Sequence, residues 1–321
     1  MRIERLLPFI GVALFMAVIA RLNFTMLLSA AGRVDPVLVS ISAACTIPAL
    51  IIKARKWTLI VKSYGIRYPL LAASRAWLTG FFMGSITPGR IGDLYRAFYL
   101  RRDAGVSTGR SLTTVIIDRI LDIGTLFFIS IAGLLLIVTP AAGTAQVLLI
   151  VGAAFAAFAA AVLMAMSKGL MRAVLNPLFR RFAPAVYRQA LRAVFHDFYS
   201  GVMQMDMRKL LLSSALSVAC WVIVIMQYYV ISLSIGLGLP VAFFFGVIPV
   251  VIILETLPVS FSGFGIREAS LVFFFSVAGA SAESAFLVSI ILFVQGPLIC
   301  LFLGLFFWAR DPARPGLRKR I

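Results

Sequence analysis

The 321-residue chain is 62% hydrophobic and 13% charged, and its 30 Lys and Arg outnumber its 12 Asp and Glu to give a formal charge of +18. A soluble domain carries about twice that charged fraction, and a mean hydropathy of +1.04 excludes a basic nucleic-acid-binding protein despite the charge. Apolar stretches long enough to cross a hydrocarbon core, among them Leu6 to Leu28 and Ala285 to Trp308, indicate an all-α polytopic membrane protein.

In chain order, the first apolar run, about 6–29, follows Arg2 and Arg5 and ends in small residues, the outline of a signal peptide. It is longer than a usual h-region and contains Arg21, so it reads as an uncleaved first span. A second span at about 36–54 leads into the basic cluster Lys53 to Arg67. The apolar region 69–100 is broken at Pro88-Gly89 and Gly92, and a span at 112–138 follows the cluster Arg101 to Arg110. Beyond a span at 144–167 lies a basic connection, 168–209. Within it, Tyr187, Leu191, Val194, Phe195, Phe198 and Val202 form one helical stripe and Arg188, Arg192 and His196 another. That pattern fits an interfacial amphipathic helix over anionic headgroups, and equally a soluble helix packed on the bundle. A span at 210–234, a region 241–276 broken at Pro258, Gly263 and Gly265, a span at 285–308 and a basic tail, 311–321, complete the chain.

Short cytoplasmic loops retain Lys and Arg, and 23 of the 30 basic residues fall in five clusters, at Arg2 to Arg5, Lys53 to Arg67, Arg101 to Arg110, Lys168 to Lys209 and Arg310 to Arg320. Those clusters are expected on the cytoplasmic side of a bacterial inner membrane, with both termini. The connections near 30–36, 139–145, 235–242 and 276–284 contain only Arg33 as a basic residue. Region 69–100 therefore begins and ends on the cytoplasmic side, and region 241–276 on the other. Each is expected to be a re-entrant helical hairpin. The chain then divides into residues 1–138 and 139–310, each with three spans and one hairpin, and an odd number of crossings inverts the second half. Gly/Pro-interrupted segments at matching places in such inverted repeats point to a transport site. Two kinked ordinary spans, the alternative, put Arg101 to Arg110 on the outer face.

Eleven ionisable residues remain in the apolar layer: Arg21, Arg75, Arg90, Arg96, Arg119 and Arg267, with Asp93, Asp118, Asp122, Glu255 and Glu268. Unpaired charges there are costly, so these residues are expected to face one another or a wet cavity. In TPGRIGDLYRAFYL, Arg90, Asp93 and Arg96 recur every third residue after the break and share one helical face. In LPVSFSGFGIREASLVFFF, a Ser/Gly-rich loop leads into a helix near Ile266, where free N–H groups and Arg267 make a ready anion site. Glu255 is placed either as a partner of Arg267 or as a headgroup contact. Asp118 and Asp122, with Arg119 between them, are expected to brace the first hairpin by pairing with Arg90 or Arg96.

The segments PGRxGDxxRxxxL and PxSxxGxGxREA, in that order, resemble the paired signatures of the flippase-like transmembrane domain of lysylphosphatidylglycerol synthases, a family that includes short stand-alone membrane proteins. The resemblance covers nearly the whole chain. It implies a lipid-translocating fold with opposed re-entrant helices and maps its motifs onto Pro88, Gly89, Gly92, Asp93 and Arg96, then Pro258, Gly263, Gly265, Arg267 and Glu268. Asp93 stands where the family commonly has Glu. Only 13 residues follow Trp308, so no aminoacyl-transferase domain, and no lysyl transfer, is expected.

The leading expectation is a translocator that moves a polar, anionic lipid headgroup between leaflets, with Arg90, Asp93, Arg96, Glu255, Arg267 and Glu268 contacting it. Membrane lipids are then the partners, with an anionic lipid surface held by the basic segments; no nucleic-acid partner is expected and an oligomer is compatible. The alternative is an ion-coupled carrier of a small organic anion. An intramembrane enzyme is disfavoured, because the chain has one His and no Ser or Cys beside a base. No cofactor is expected: Cys45, Cys220 and Cys300 lack CxxC spacing, and no Walker motif is present.

Overall fold

The computed structural model describes residues 9–87, 90–137, 144–167, 205–257 and 260–311, with Gly169, Asp197 and Ser200. Pro88, Gly89, Pro258, most of the 168–209 connection with its amphipathic stretch, and the tail beyond Asp311 lie outside the described residues.

Every element among the described residues is helical. Helices α1 (Phe9–Arg21) and α2 (Phe24–Gly32) meet at 86°, so the first apolar run, expected as one span, is sharply bent. The cause is Asn23. Its side-chain oxygen accepts the Thr25 and Met26 N–H groups at 3.0 and 3.3 Å, and its own N–H donates to Glu283 Oε1 at 3.0 Å. Those bonds take up donors that a continuing helix would satisfy itself, and they restart the helix in a new direction.

Helix α3 (Pro36–Ser63) runs well past residue 54, because the basic residues that follow are good helix formers and their charges find interior partners. Next come α4 (Leu70–Ser85), a 3₁₀ turn (Ile91–Leu94), α5 (Tyr95–Ala104), α6 (Thr108–Ile137), α7 (Thr144–Met166), α8 (Met207–Ser234), α9 (Val241–Glu255) and α10 (Ile266–Val277). Helix α11 (Ala282–Phe293) continues through a π turn at Val294–Leu298 into α12 (Ile299–Ala309). The π turn contains Pro297, which lacks the N–H a regular turn needs. Four segments are long and apolar enough to cross a membrane: α3, α6, α8 and the α11–α12 unit, with α1 and α2 together making a fifth if they count as one bent span. By contrast α4 and α9 have 16 and 15 residues, about 22 to 24 Å at 1.5 Å per residue, short of a hydrocarbon core of about 30 Å. Both regions are interrupted where Pro and Gly predict it.

The two ends of α3 and α8 are built alike. Each helix has 28 residues and follows an Asp cap, Asp35 or Asp206, with φ −73° and ψ 111° in both. Lys209, 2.7 Å from Asp206, and the Arg208 N–H together hold that exposed carboxyl below its usual pKa. The Asp35 N–H donates to the Ser234 carbonyl at 2.8 Å, and the Asp206 N–H donates to the Ser63 carbonyl at 3.4 Å. These reciprocal bonds fix the helices antiparallel. Asp35 and Asp206, Ser63 and Ser234, and Pro69 and Pro240 all stand 171 positions apart, the separation of Ala49 and Cys220, whose thiol meets the Ala49 carbonyl at 3.6 Å between the two helices.

The next layer repeats this exchange, with α6 packing on α9 and α12 on α4. Gly133 of α6 lies directly against the Phe245-Gly246 backbone, and Gly304 of α12 against the Leu78 carbonyl and Phe82. Around these contacts Ile225, Phe244, Ile248, Leu271 and Phe275 form one fully buried apolar cluster and Trp57, Val61, Ala73 and Leu100 another. Large apolar side chains such as Phe128, Leu136 and Phe302 are left exposed, the surface of a protein solvated by lipid. A Gly304→Ala substitution forces α12 off α4, since its Cβ meets backbone. It should lower the melting temperature of the detergent-purified protein by several degrees, whereas Gly152→Ala, with open space around it, should leave it unchanged.

Candidate functional site

At the first break, Thr87 Oγ1 accepts the Gly92 N–H at 2.7 Å while donating to the Met83 carbonyl at 2.9 Å. Arg90 takes a left-handed conformation, φ 54°, and so turns the chain sharply. Gly92 then sits so close to the Met83 carbonyl that any Cβ would collide with it, which is the physical requirement behind that motif position. Asp93 is buried and pairs with Arg119 of α6. Arg96, 1% exposed, lies 2.7 Å from Asp118 Oδ2 and over the Trp57 ring at 5.4 Å.

The carboxylates of α6 also hold two lysines. Lys56 Nζ is 2.8 Å from Asp118 Oδ1 and 2.6 Å from Asp122 Oδ1, and Lys53 Nζ is 3.4 Å from Asp122 Oδ2. Asp122 further accepts from Ser217 Oγ at 2.7 Å and Trp221 Nε1 at 3.0 Å. Asp118 thus braces Arg96 as expected, but Asp122 pairs with lysines and not with Arg90 or Arg96. This corrects the assignment of Lys53 and Lys56 to an aqueous cluster, because Lys56 is only 1% exposed. A buried carboxylate pair needs compensating cations close by, and α3 presents them three positions apart on the facing side.

At the second break, Ser262, Gly263 and Gly265 have φ of 52°, 77° and 83°. Gly265 meets the Gly11 carbonyl of α1 in direct contact, and Phe15 covers Phe264 with ring centroids 4.1 Å apart. Glu268, fully buried, accepts the Gly265 N–H at 2.7 Å and the Ser289 hydroxyl at 2.9 Å, and pairs with Arg267. Arg267 Nε also reaches Ser289 Oγ at 2.9 Å, and its guanidinium lies 4.7 Å from the Phe293 centroid. Glu268 is therefore saturated by structural contacts.

Both breaks open on one cavity of about 180 Å³. Its charged wall consists of Lys53, Arg90, Arg119 and Arg267 with Asp118, Asp122 and Glu255, and Trp77, Phe81, Trp221, Tyr228 and Phe293 supply aromatic surface. Four cations against three carboxylates leave the wall positive by one. Arg90 spans the gap between the breaks: its Nη2 is 3.8 Å from Glu255 Oε2, its guanidinium lies 5.4 Å from the Phe81 centroid, and its buried Nε makes no hydrogen bond. The Ser262 hydroxyl donates to Ser85 Oγ at 3.2 Å, a second link between the breaks.

Residues 6–304 match the family described as the lysylphosphatidylglycerol synthase TM region. The chain belongs to this family. It is also 24% identical over 307 residues, 89% of this chain and 87% of the relative, to a UPF0104 membrane protein from Methanothermobacter thermautotrophicus. No solved structure matches it. In this member, Arg90, Glu255 and Arg267 reach the cavity together with Asp118, Arg119 and Asp122, whereas Asp93, Arg96 and Glu268 stand behind it, each paired with another side chain. Glu255 meets Arg90 more closely than any other cation. Lys53, Trp221, Gln227 and Tyr228 also line the wall; the signal that could have pointed to Lys53 is its spacing with Lys56 opposite Asp118 and Asp122. Among the described residues no cluster of His, Cys, Asp and Glu could hold a metal ion. Arg21 is exposed beside the α1–α2 bend.

Glu268→Ala removes the cap of α10 and strands Arg267, a loss of about 3 to 5 kcal/mol for a broken buried pair. The purified variant should unfold well below the wild type in a thermal-denaturation scan, while Glu268→Gln, which keeps an acceptor for Gly265, should fall between the two.

Proposed function

We propose that this membrane protein translocates lipid, moving a polar, anionic headgroup between leaflets through the cavity between the two helix breaks. The observation that carries the reading is that Arg90 from one break and Glu255 and Arg267 from the other line the same positively biased cavity. A phosphate fits such a wall because a guanidinium can offer it two parallel N–H groups. Arg90 and Arg267 contact the headgroup, and Asp93, Arg96 and Glu268 position the helices that carry them. The acyl chains stay in the bilayer.

On this reading residues 1–138 and 139–310 are an inverted repeat, and α4–α5 and α9–α10 are re-entrant hairpins entering from opposite faces. Matching caps 171 positions apart and the exchanged packing of α6 on α9 and α12 on α4 support it. The basic clusters put both termini on the cytoplasmic side of a bacterial inner membrane. Rocking of the two halves about α3 and α8 gives alternating access, and the chain needs no enzymatic activity of its own. Family membership supports a lipid-related role.

The test is a headgroup-labelled phosphatidylglycerol in proteoliposomes, with external quencher reporting movement across the bilayer. Losing one charge-assisted bond of about 1.5 to 3 kcal/mol should slow Arg90→Gln at least about tenfold, while Arg33→Gln, at the exposed end of α2, should move lipid at the wild-type rate. Equal rates for protein-containing and protein-free vesicles would sink the reading. Uptake of a soluble organic anion without lipid movement would replace it with an ion-coupled carrier.

A further inference from the structure

A second cavity, of about 350 Å³, lies where α4, α5 and α12 meet, apart from the central one. Its wall carries Arg75, Arg102 and Arg310 against a single carboxylate, Asp311, with Phe306 and Phe307 between them. Arg102 is already occupied, since its Nη1 donates to both Asp311 oxygens at 2.9 and 2.8 Å and its Nε donates to Asp103 at 2.7 Å. Arg75 and Arg310 have no acidic partner among the described residues. Each instead rests on a ring, Arg75 at 5.8 Å from the Phe307 centroid and Arg310 at 4.2 Å from that of Phe306. A guanidinium stacked through its face keeps the N–H donors on its rim for another ligand.

Most of the carboxylates among the described residues are already engaged elsewhere. Asp35 and Asp206 cap helices, Glu283 accepts from Asn23, and Asp93, Asp103, Asp118, Asp122, Glu255 and Glu268 are all engaged with other residues. Residues 312–321 add four more basic residues and no acid. The neighbouring surface says which anion fits. Arg310 follows directly on α12, the end of a segment long and apolar enough to span, whose Phe302, Leu303 and Phe306 are 63%, 38% and 45% exposed. An arginine at the end of a spanning helix belongs at headgroup level, which suits Arg310, and Arg75 of α4 lines the same cavity, with an apolar track along α12 for acyl chains.

We propose that this second cavity is a binding site for an anionic glycerophospholipid, whose phosphate is held by Arg75 and Arg310 while its chains lie along α12. The lipid is held there and not moved. The site is separate from the central cavity, and its assignment stands whether or not that cavity translocates lipid.

Native mass spectrometry of the delipidated full chain, titrated with phosphatidylglycerol or phosphatidylcholine, tests it. Titrating in an Arg90→Gln background removes a contact that lipid in the central cavity would use, so failure of the translocator reading leaves this measurement intact. A phosphatidylglycerol adduct should persist there, exceed the phosphatidylcholine adduct, and weaken at least about tenfold on adding Arg75→Gln and Arg310→Gln, at roughly 1 kcal/mol for each basic residue at a membrane surface. Both side chains are exposed, and if the combined variant is not monodisperse, Arg310→Gln alone should show a smaller loss. An undiminished adduct, equal binding of the two lipids, or displacement by millimolar inorganic phosphate would overturn the assignment, the last marking a site for soluble phosphate.

Discussion

Lys56 lies between two carboxylates in the interior of an apolar protein, and the surrounding architecture depends on that placement. Its ammonium touches Asp118 and Asp122 together, so α3 cannot slide or rotate against α6 without exposing one of them to an uncompensated environment. Asp118 passes the constraint to Arg96 of α5 and Asp122 passes it to Ser217 and Trp221 of α8. Four helices are thereby locked around a handful of charges. In such surroundings removing one partner costs far more than the pair contributes, because the remaining charge is left desolvated. The left-handed turn at Arg90 is consequently held by α3 and α6 as much as by its own backbone.

The second break is held by a different chemical solution at comparable positions. Arg96 and Arg267 stand 171 positions apart, and so do their partners Asp118 and Ser289. Where the first half uses an acid on the neighbouring helix, the second uses a hydroxyl there and brings the acid, Glu268, from the residue next to the arginine. Gln227, 171 positions after Lys56, donates to the Ser42 carbonyl and to Thr46 and needs no counterion. One side of the cavity is consequently a dense salt-bridge lattice. The other is a single compact ion pair, capped from outside by α1 through Gly11 and Phe15.

What was legible in the sequence follows from which signals are local. Pro and Gly within apolar runs announce both breaks, and intramembrane charges cluster around them, so Arg90, Glu255 and Arg267 could be placed near one another without coordinates. Asn23 gave no such warning: an Asn inside an apolar run is ordinary, and only its cap geometry and the distant Glu283 make it a corner. Lys53 and Lys56 were hidden for another reason. Lysines at a span's end normally mark the aqueous side, and that rule cannot register that α3 continues to Ser63 with two acids facing it from α6. The division of labour between cavity-lining and positioning residues was likewise invisible, since Asp93, Arg96 and Glu268 differ from Arg90 and Arg267 only in which neighbours the tertiary fold supplies.

The looseness of Arg90 is what gives the translocator reading its physical content. Every other carboxylate at the cavity wall is gripped at 3.4 Å or less, whereas Arg90 and Glu255 face each other at 3.8 Å with a donor of Arg90 unfilled. On that reading, an entering phosphate would take the place of Glu255 against that guanidinium without uncovering a charge that the fold relies on. The exchange is close to isoelectric for the arginine, so it is neither trapped by a deep minimum nor opposed by desolvation of a bare cation. A headgroup bound as tightly as Asp118 binds Lys56 would not leave. A carrier site must release what it holds, and in this cavity the weak contact lies where the two breaks meet.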